Sequence, residues 1–381
     1  MGIFVNSATN RVYLHGAIQA FAEAGGGIFL FVLLLKAGVS PPLILCSIAA
    51  INVLRFVLRA GVLSLARRIG LRNTLIIGTL LEANSYWLVP WVNGPGAMLI
   101  VFVCISSVGS VIYWTSYHAY VAVCGDAENR GGQVGFIEAI NALVSLIAPA
   151  VVSLLLIGTG PIIAFAAVAV VQMLSAVPLI GAPSMPVPQT APIDAKTRWF
   201  AFRLFFADGW AVACVHYLWQ ISLFLALGQH FGSYGGTMVL AGLFGAIMSV
   251  VIGRRIDLGH GKGAVALAYG LAAIVATLKA LGYATPWLAI LATALAAIAA
   301  AIQIPVIMAR VYNLAQQSAC PLRFHMVTEA GWDMGSAAGC LTAAMLLVLG
   351  APWGVAIALA LLGLAAVFGL LRSSYANQAS G

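Results

Sequence analysis

Charged residues are scarce in this sequence of 381 residues. Asp, Glu, Lys and Arg together make up 7%, whereas soluble domains contain about 25%. Hydrophobic residues make up 62%, and the mean hydropathy is +1.04. A water-exposed globular protein is therefore excluded. Cysteine is also rare: the six cysteines include no CxxC pair and no zinc-ligand spacing, so we expect neither a disulfide framework nor a metal site.

The sequence also lacks the motifs of common enzyme classes. HExxH and GxSxG are absent, and GHGKG (259–263) lacks the full Walker spacing and a following Ser or Thr. No polar stretch is long enough to form an ATPase domain. We therefore expect neither an enzyme nor a cofactor, and any transport must be driven by ion gradients.

Long hydrophobic runs make up most of the sequence. Runs of about 20 residues are long enough to cross a bilayer as helices. Twelve such spans are predicted: 13–35, 41–65, 73–92, 96–122, 133–157, 161–182, 199–227, 234–252, 263–282, 286–311, 324–349 and 352–371. We expect the first to remain as a membrane span and not to be cleaved as a signal peptide. The Pro-rich stretch GAPSMPVPQTAPIDAKTR (181–198) divides the spans into six and six.

The basic residues support this count. With alternating spans, nearly all loop Lys and Arg fall on one side, which predicts that both termini and the middle segment are cytoplasmic. The net charge of +8 follows from the same loop bias, so no nucleic-acid partner is expected. We expect a monomer in a bacterial-type inner membrane.

The two halves show weak internal similarity. GIFLFVLLLKAGVS (27–40) aligns with QISLFLALGQHFGS (220–233), and GFIEAINALVS (135–145) aligns with MVTEAGWDMGS (326–336). The second alignment places Glu138 and Glu329 at equivalent positions. Internal repeats packed around a midplane site are a recurrent transporter plan.

The whole chain resembles the major facilitator superfamily. The family's loop signature, G-x-L-a-D-r-x-G-r-k, is partly present after spans two and eight. Arg68, Gly70 and Arg72 fit the first copy, in which Leu63 and Arg67 depart from the pattern; Gly253, Asp257 and Lys262 fit the second, in which His260 departs. Pro149 remains from the fifth-helix signature of drug/proton antiporters, without its flanking glycines.

The resemblance implies an all-α membrane fold with two pseudo-symmetric six-helix bundles, 1–183 and 199–381, joined by a linker at 184–198. It also implies that the loop residues form a cytoplasmic gate. Helices one, four, seven and ten line the cavity in this family, so Glu23 and Asp208 would face each other across it.

Acidic residues inside predicted spans are the main candidates for proton coupling. Six are found there: Glu23, Glu82, Glu138, Asp208, Glu329 and Asp333. Such residues normally face the protein interior or a water-filled path. Two i, i+4, i+8 ladders, His15–Gln19–Glu23 and His325–Glu329–Asp333, each predict a proton path from the cytoplasm to the midplane. The alternative is hydrogen bonding to neighbouring helices, and Glu82 is expected to be structural.

Three arginines also lie within predicted spans. Arg55 is the deepest, and because arginine stays charged it must be paired or must bind an anion. Both options stay open: an ion pair with Glu23 or Glu82, or substrate contact. Arg59 and Arg310 lie nearer the cytoplasm and are expected to reach the headgroups or to tie gate helices together.

Aromatic and amide side chains suggest a binding pocket. Two stretches, SSVGSVIYWTSYH (106–118) and GWAVACVHYLWQ (209–220), are rich in them, and Gln303 lies on another lining helix beside Pro305. The substrate-binding candidates are Arg55, Gln19, Tyr113, Trp114, Tyr117, Trp210, His216, Tyr217, Gln220 and Gln303. The competing interpretation of the aromatic residues is a lipid belt or core packing. GGG (25–27) after Glu23 predicts a bend in the first helix.

The function most consistent with these features is secondary active transport by alternating access. The expected partners are a small organic solute, amphipathic or anionic, protons (with sodium as the alternative coupling ion) and the lipid bilayer. Two alternatives remain: efflux of drugs or lysolipid-like amphiphiles, and a non-transporting receptor on the same scaffold.

Overall fold

A computed structural model describes residues 7–124, 130–185, 187–188, 193–256 and 261–378. Within these ranges twelve helices follow one another in the order of the predicted spans. The first six are α1 (7–36), α2 (Pro41–Ile69), α3 (Leu71–Leu88), α4 (Ala97–Cys124), α5 (Arg130–Gly158) and α6 (Pro161–Leu174, continued by Val177–Ile180). The second six are α7 (195–226), α8 (Phe231–Ile256), α9 (Gly261–Gly282), α10 (Pro286–Gln317), α11 (Pro321–Val348) and α12 (Trp353–Ala358, continued by Ala360–Gln378).

Proline and glycine mark the helix ends. Pro41, Pro161, Pro286 and Pro321 are the first residues of their helices, where the missing N–H costs nothing. Gly38 and Gly228 follow α1 and α7 with φ of +84° and +71°, a conformation that side chains with a Cβ disfavour. These signals set short turns between long apolar helices.

The chain is a multi-pass membrane protein. Eleven of the described helices are long and apolar enough to cross a membrane. The remaining one, α3, carries Arg72 and Glu82, which lower its hydropathy. We call the side of the bundle with the arginine-rich turns, such as the one after α2, the basic side, and the other the opposite side. The domain boundaries at 183 and 199 stay predictions.

An internal repeat of 190 residues runs through the fold. The turn glycines Gly38 and Gly228 differ by 190 (228 − 38), and so do Gly160 and Gly350 (350 − 160). Each half also has one π-helical segment in its first helix, Glu23–Gly27 in α1 and Ala213–Tyr217 in α7, again 190 apart (213 − 23). The predicted alignment of 27–40 with 220–233 was therefore wrong by three residues. Glu329 corresponds to Ala139, one residue from the predicted Glu138.

The triple glycine lies in the π-helical segment of α1. A Cβ on Gly25 would come within 2.7 Å of Val152 Cγ2, and one on Gly26 within 2.9 Å of Tyr86 Cδ1. The glycines therefore allow α1 to approach α5 and α3 closely. The sequence predicted a bend here but not this close packing. In α10, Pro305 lies inside the helix, which continues past it without interruption.

The two halves meet most extensively along two helix pairs, α2 with α11 and α5 with α8. In the second pair a Cβ on Gly242 would meet the backbone of Ser145 and Leu146, so the absence of a side chain there lets α5 and α8 pack closely. The first pair carries charged side chains.

Candidate functional site

Four charged side chains join α2 to α11 in the middle of the bundle. Arg55 Nη2 donates to Glu329 Oε2 at 3.0 Å, and Arg55 Nε lies 3.0 Å from Asp333 Oδ1. Arg59 pairs with Asp333 as well and donates through Nη1 to Thr115 Oγ1 of α4 at 2.7 Å. We call Arg55, Arg59, Glu329 and Asp333 the charge cluster. All four are buried.

The charge cluster connects the two halves of the molecule. Its arginines belong to α2 of the first half, and its carboxylates belong to α11 of the second. Asn52 Nδ2 donates to Ser336 Oγ at 2.9 Å one turn nearer the opposite side. The partner predicted for Arg55 was wrong, because the structure pairs it with α11 and not with Glu23 or Glu82. Arg59, expected to reach the headgroups or tie gate helices, instead ties the halves together at mid-depth.

The four members of the charge cluster differ in their partners. Asp333 is fully buried and contacts both arginines, whereas Glu329 contacts only Arg55. Glu329 Oε1 also lies 3.7 Å from Nε2 of His118 on α4. With two cations and two anions the cluster is neutral, as burial in a membrane protein requires.

His118 links the charge cluster to side chains nearer the basic side. Its Nδ1 lies 2.8 Å from the Tyr312 hydroxyl of α10, and its ring stacks on His325 with centroids 5.6 Å apart. The predicted ladder His325–Glu329–Asp333 thus continues into the first half through His118. Histidines beside a carboxylate suit proton transfer.

The ladder on α1 is tied to its own half. His15 Nδ1 lies 2.7 Å from the Ser175 carbonyl oxygen, and its Nε2 lies 3.2 Å from the Tyr113 hydroxyl. Gln19 and Tyr86 each donate to Glu23 Oε2 at 3.3 Å. Glu23 is exposed while Gln19 and Tyr86 are buried, and it stays a proton-coupling candidate.

Asp208 does not correspond to Glu23. The 190-residue repeat pairs Glu23 with Ala213, so Asp208 lies five residues nearer the basic side, about 7.5 Å along the helix. Asp208 is half-buried. The two residues are therefore not symmetry-equivalent, and their facing each other across a cavity stays a prediction. Asp257, the side chains of Glu138 and Lys262, and the surroundings of Gly253 lie outside what the structure describes.

An aromatic wall extends from Arg55 across both halves. The Arg55 guanidinium lies 5.4 Å from the Trp332 ring centroid. Tyr217 packs edge-on against Trp332 at 6.3 Å and against Phe31 of α1 at 5.4 Å. Tyr217 belongs to the π-helical segment of α7, and such segments occur frequently at functional sites.

The other aromatic candidates lie in different places. Tyr113 stacks on Tyr117 at 5.6 Å, and Trp114 packs edge-on against Tyr113, all within the first half. Trp210 Nε1 donates to the Leu359 carbonyl at 2.9 Å, which ties α7 to α12. His216 is exposed and Gln303 half-buried.

A separate contact closes the opposite side of the bundle. The Tyr234 hydroxyl of α8 donates to the Ile28 carbonyl of α1 at 3.0 Å and also contacts Gln220. Phe29 packs on Tyr234 and Phe231 with centroids 5.4 and 6.2 Å apart. We call Phe29, Phe231, Tyr234 and Gln220 the outer contact. Gln220 thus belongs to this contact, although it was predicted in the substrate pocket.

Replacing Tyr234 by phenylalanine should loosen the outer contact. Loss of a hydrogen bond of about 1 kcal/mol shifts a two-state equilibrium about fivefold. The measurement is the labelling of a cysteine introduced by Ser222→Cys, a buried α7 position, with an impermeant maleimide after the six native cysteines are replaced. Labelling should increase in Tyr234→Phe. Tyr283→Phe is the control, and equal labelling in both variants would contradict a closing role for Tyr234.

The turn after α2 docks on the segment that follows α6. Arg72 Nη1 donates to the Ala182 carbonyl and Leu71 N to that of Met185, at 3.0 and 3.2 Å. Gly70 lies in this turn with φ +82°.

The other predicted gate residues with described side chains do not join this contact. Arg68 is exposed, and Arg310 donates through Nε to Ser374 Oγ of α12 at 3.0 Å.

Three members of this site were not among the predicted site residues: Arg59, His118 and Trp332. Signals for them were present in the sequence. Arg55 and Arg59 are four residues apart, as are Glu329 and Asp333, which is the spacing of two matching helix faces. His118 closes the aromatic stretch 106–118, and Trp332 lies between the two acids.

Neither protein-family models nor characterised protein sequences match the chain. Solved structures match the chain over nearly its whole length. The human organic anion transporter MFSD10 (TETRAN) has 18% identity and a TM-score of 0.70, covering 96% of this chain and 99% of that one. The fucose:proton symporter FucP of E. coli has 14% identity and a TM-score of 0.66, covering 96% and 97%. The chain therefore has the fold of major facilitator transporters, as the sequence predicted.

Proposed function

We propose that the protein is a proton-coupled secondary transporter of a small organic anion. The observation that carries this proposal is the shared position of Arg55, held by two carboxylates of the other half at mid-depth. The transporters with this fold, one named for organic anions and one for a proton symport, support the class over an enzyme or a receptor.

The mechanism begins at Glu329. A proton arriving by way of His325 and His118 neutralises Glu329 and breaks its pair with Arg55. Asp333 keeps contact with both arginines, so the halves stay connected while one face of the Arg55 guanidinium becomes free. An anionic substrate then takes the place of Glu329, and its apolar part rests on Trp332 and Tyr217.

The geometry of the charge cluster favours such an exchange. Arg55 Nε and Asp333 Oδ1 are close but do not form a hydrogen bond of good angle, and Arg59 Nε has no hydrogen-bond partner within the described chain. Buried polar atoms are normally satisfied, so the cluster is less stable than a fully bonded network. The proton removes the negative charge of Glu329 and the anionic substrate replaces it, so the cluster stays neutral while the halves rock.

The test is substrate-driven proton flux in proteoliposomes with an internal pH dye. Pools of organic acids, amphiphiles and sugars are screened with wild type, Glu329→Gln, Glu23→Gln and Glu82→Gln. Glu82 is the matched control, because it is an intramembrane carboxyl outside the ion pairs of the described chain. We expect organic acids to drive proton flux in wild type and Glu82→Gln, and the flux to be lost in Glu329→Gln.

Other outcomes select the alternatives. Flux that survives in Glu329→Gln but not in Glu23→Gln would place the coupling site on α1. Flux with amphiphiles alone would favour drug or lysolipid efflux. Uptake that depends on a sodium gradient would identify sodium, and not the proton, as the coupling ion. Binding with no flux for any pool would favour the non-transporting receptor.

A further inference from the structure

An apolar groove lies on the outer surface of the bundle between α7 and α12. It has a volume of about 640 Å³, and its floor is formed by small residues such as Ala207, Ala366 and Gly369. Phe202 and Phe206 form one wall, with ring centroids 6.3 Å apart. Ala366 and Gly369 are exposed. On a membrane protein this surface faces the bilayer.

Two exposed arginines lie toward the basic side on the two helices of the groove, and the Arg372 guanidinium carbon lies 5.8 Å from the ring centroid of Phe368, which is outside the groove lining. Arg203 lines the groove itself, and Arg372 follows its last lining residue, Leu370, by two positions on α12. Within the described chain neither arginine takes part in an ion pair. The groove thus combines an acyl-chain-sized apolar trough with one arginine in its lining and a second arginine beyond its last lining residue on α12.

The depth of Arg203 argues for an anionic partner from the lipid. Trp199, one turn earlier on α7, is 57% exposed, as is typical of tryptophan at the headgroup level. Arg203 lies four residues further along, about 6 Å deeper. A charged side chain inside the aromatic belt is costly unless it finds a counter-charge, and basic sites between helices on this side of a membrane bind anionic headgroups.

We infer that this groove is a binding site for an anionic phospholipid of the leaflet on the basic side. The phosphate would lie between Arg203 and Arg372, and one acyl chain would fill the trough along Ala366 and Gly369. A zwitterionic lipid of the same chain length fits the trough equally but brings an ammonium group to the arginines. The site should therefore distinguish lipids by headgroup charge.

The experiment is native mass spectrometry of the purified full chain with phosphatidylglycerol and phosphatidylethanolamine of identical acyl chains, without substrate. We expect wild type to retain several-fold more phosphatidylglycerol. Arg203→Gln with Arg372→Gln should abolish this preference, and Ala366→Phe should reduce binding of both lipids. Arg198→Gln, an exposed arginine of the same helix outside the groove lining, is the control and should retain the preference.

Three results would overturn the inference: equal retention of both lipids by wild type, a preference that survives the double arginine variant, or a loss in Arg198→Gln as large as in that variant. Dimer peaks that disappear with Ala366→Phe would instead assign the groove to a second copy of the chain. Because no substrate is present, the result is independent of the proposed transport activity.

Discussion

Replacing Arg55 by methionine is expected to abolish transport and to lower the free energy of unfolding by about 3–5 kcal/mol, the usual cost of breaking a buried pair from one side. Methionine keeps the apolar volume but leaves Glu329 with His118 as its neighbour and Asp333 with a single arginine. Thermal unfolding in detergent, followed with substrate uptake in liposomes, measures both effects.

The control for this prediction is Arg310→Met. Arg310 is also an arginine of a membrane helix, but it is half-buried and bonds Ser374, with no carboxylate in the ion pairs of the described chain. We expect a loss below about 1 kcal/mol, the range of a single hydrogen bond. A double variant, Arg55→Met with Glu329→Leu, should recover stability without recovering transport. Equal stability of Arg55→Met and wild type would contradict the structure of the charge cluster.

Replacing Gly335 by alanine is the second change with a large expected effect. A Cβ at Gly335 would overlap the Phe206 carbonyl oxygen of α7, and one at Gly331 that of Phe202. Overpacking typically costs about 1–3 kcal/mol. The two glycines form a GxxxG pair on the α7 face of α11, while Asp333, midway between them, points to α2. Pushing α11 away from α7 therefore also displaces the carboxylate from its arginines.

The measurement for Gly335→Ala is thermal unfolding together with proton-coupled uptake, and both should fall. Gly61→Ala on α2 is the control, because a Cβ there meets no atom within 4 Å and alanine favours helix by up to about 1 kcal/mol. It should be neutral or stabilising. Similar unfolding temperatures for the two variants would show that α11 does not depend on close contact with α7.

The sequence predicted the fold because each of its signals is local. Apolar run lengths, prolines at helix starts and loop arginines together specify twelve spans in order, and they need no knowledge of which helices touch. α3 shows the limit of hydropathy, since Arg72 and Glu82 make it the least apolar of the series although it is a regular helix.

The partners within the site could not be predicted in the same way. The i, i+4 spacings placed Glu329 and Asp333 on one helix face, but which helix faces them depends on packing between the halves. The matching i, i+4 spacing of Arg55–Arg59 and Glu329–Asp333 is the one sequence signal for this pairing. Asp208 was paired with Glu23 on estimated depth alone, and the five-residue difference shows up only once the turn glycines and the π-helical segments fix the register of the repeat.

The central claim is that protonation of Glu329 releases Arg55 for an anionic substrate. The most direct measurement is the dissociation constant of a transported organic acid as a function of pH, in detergent, for wild type and Glu329→Gln. Because the proton binds before the anion, wild-type affinity should rise as the pH falls. The glutamine variant, in which Arg55 is permanently released from this partner, should bind tightly with little dependence on pH. Wild-type affinity that does not change with pH, or loss of binding in Glu329→Gln, would contradict the claim.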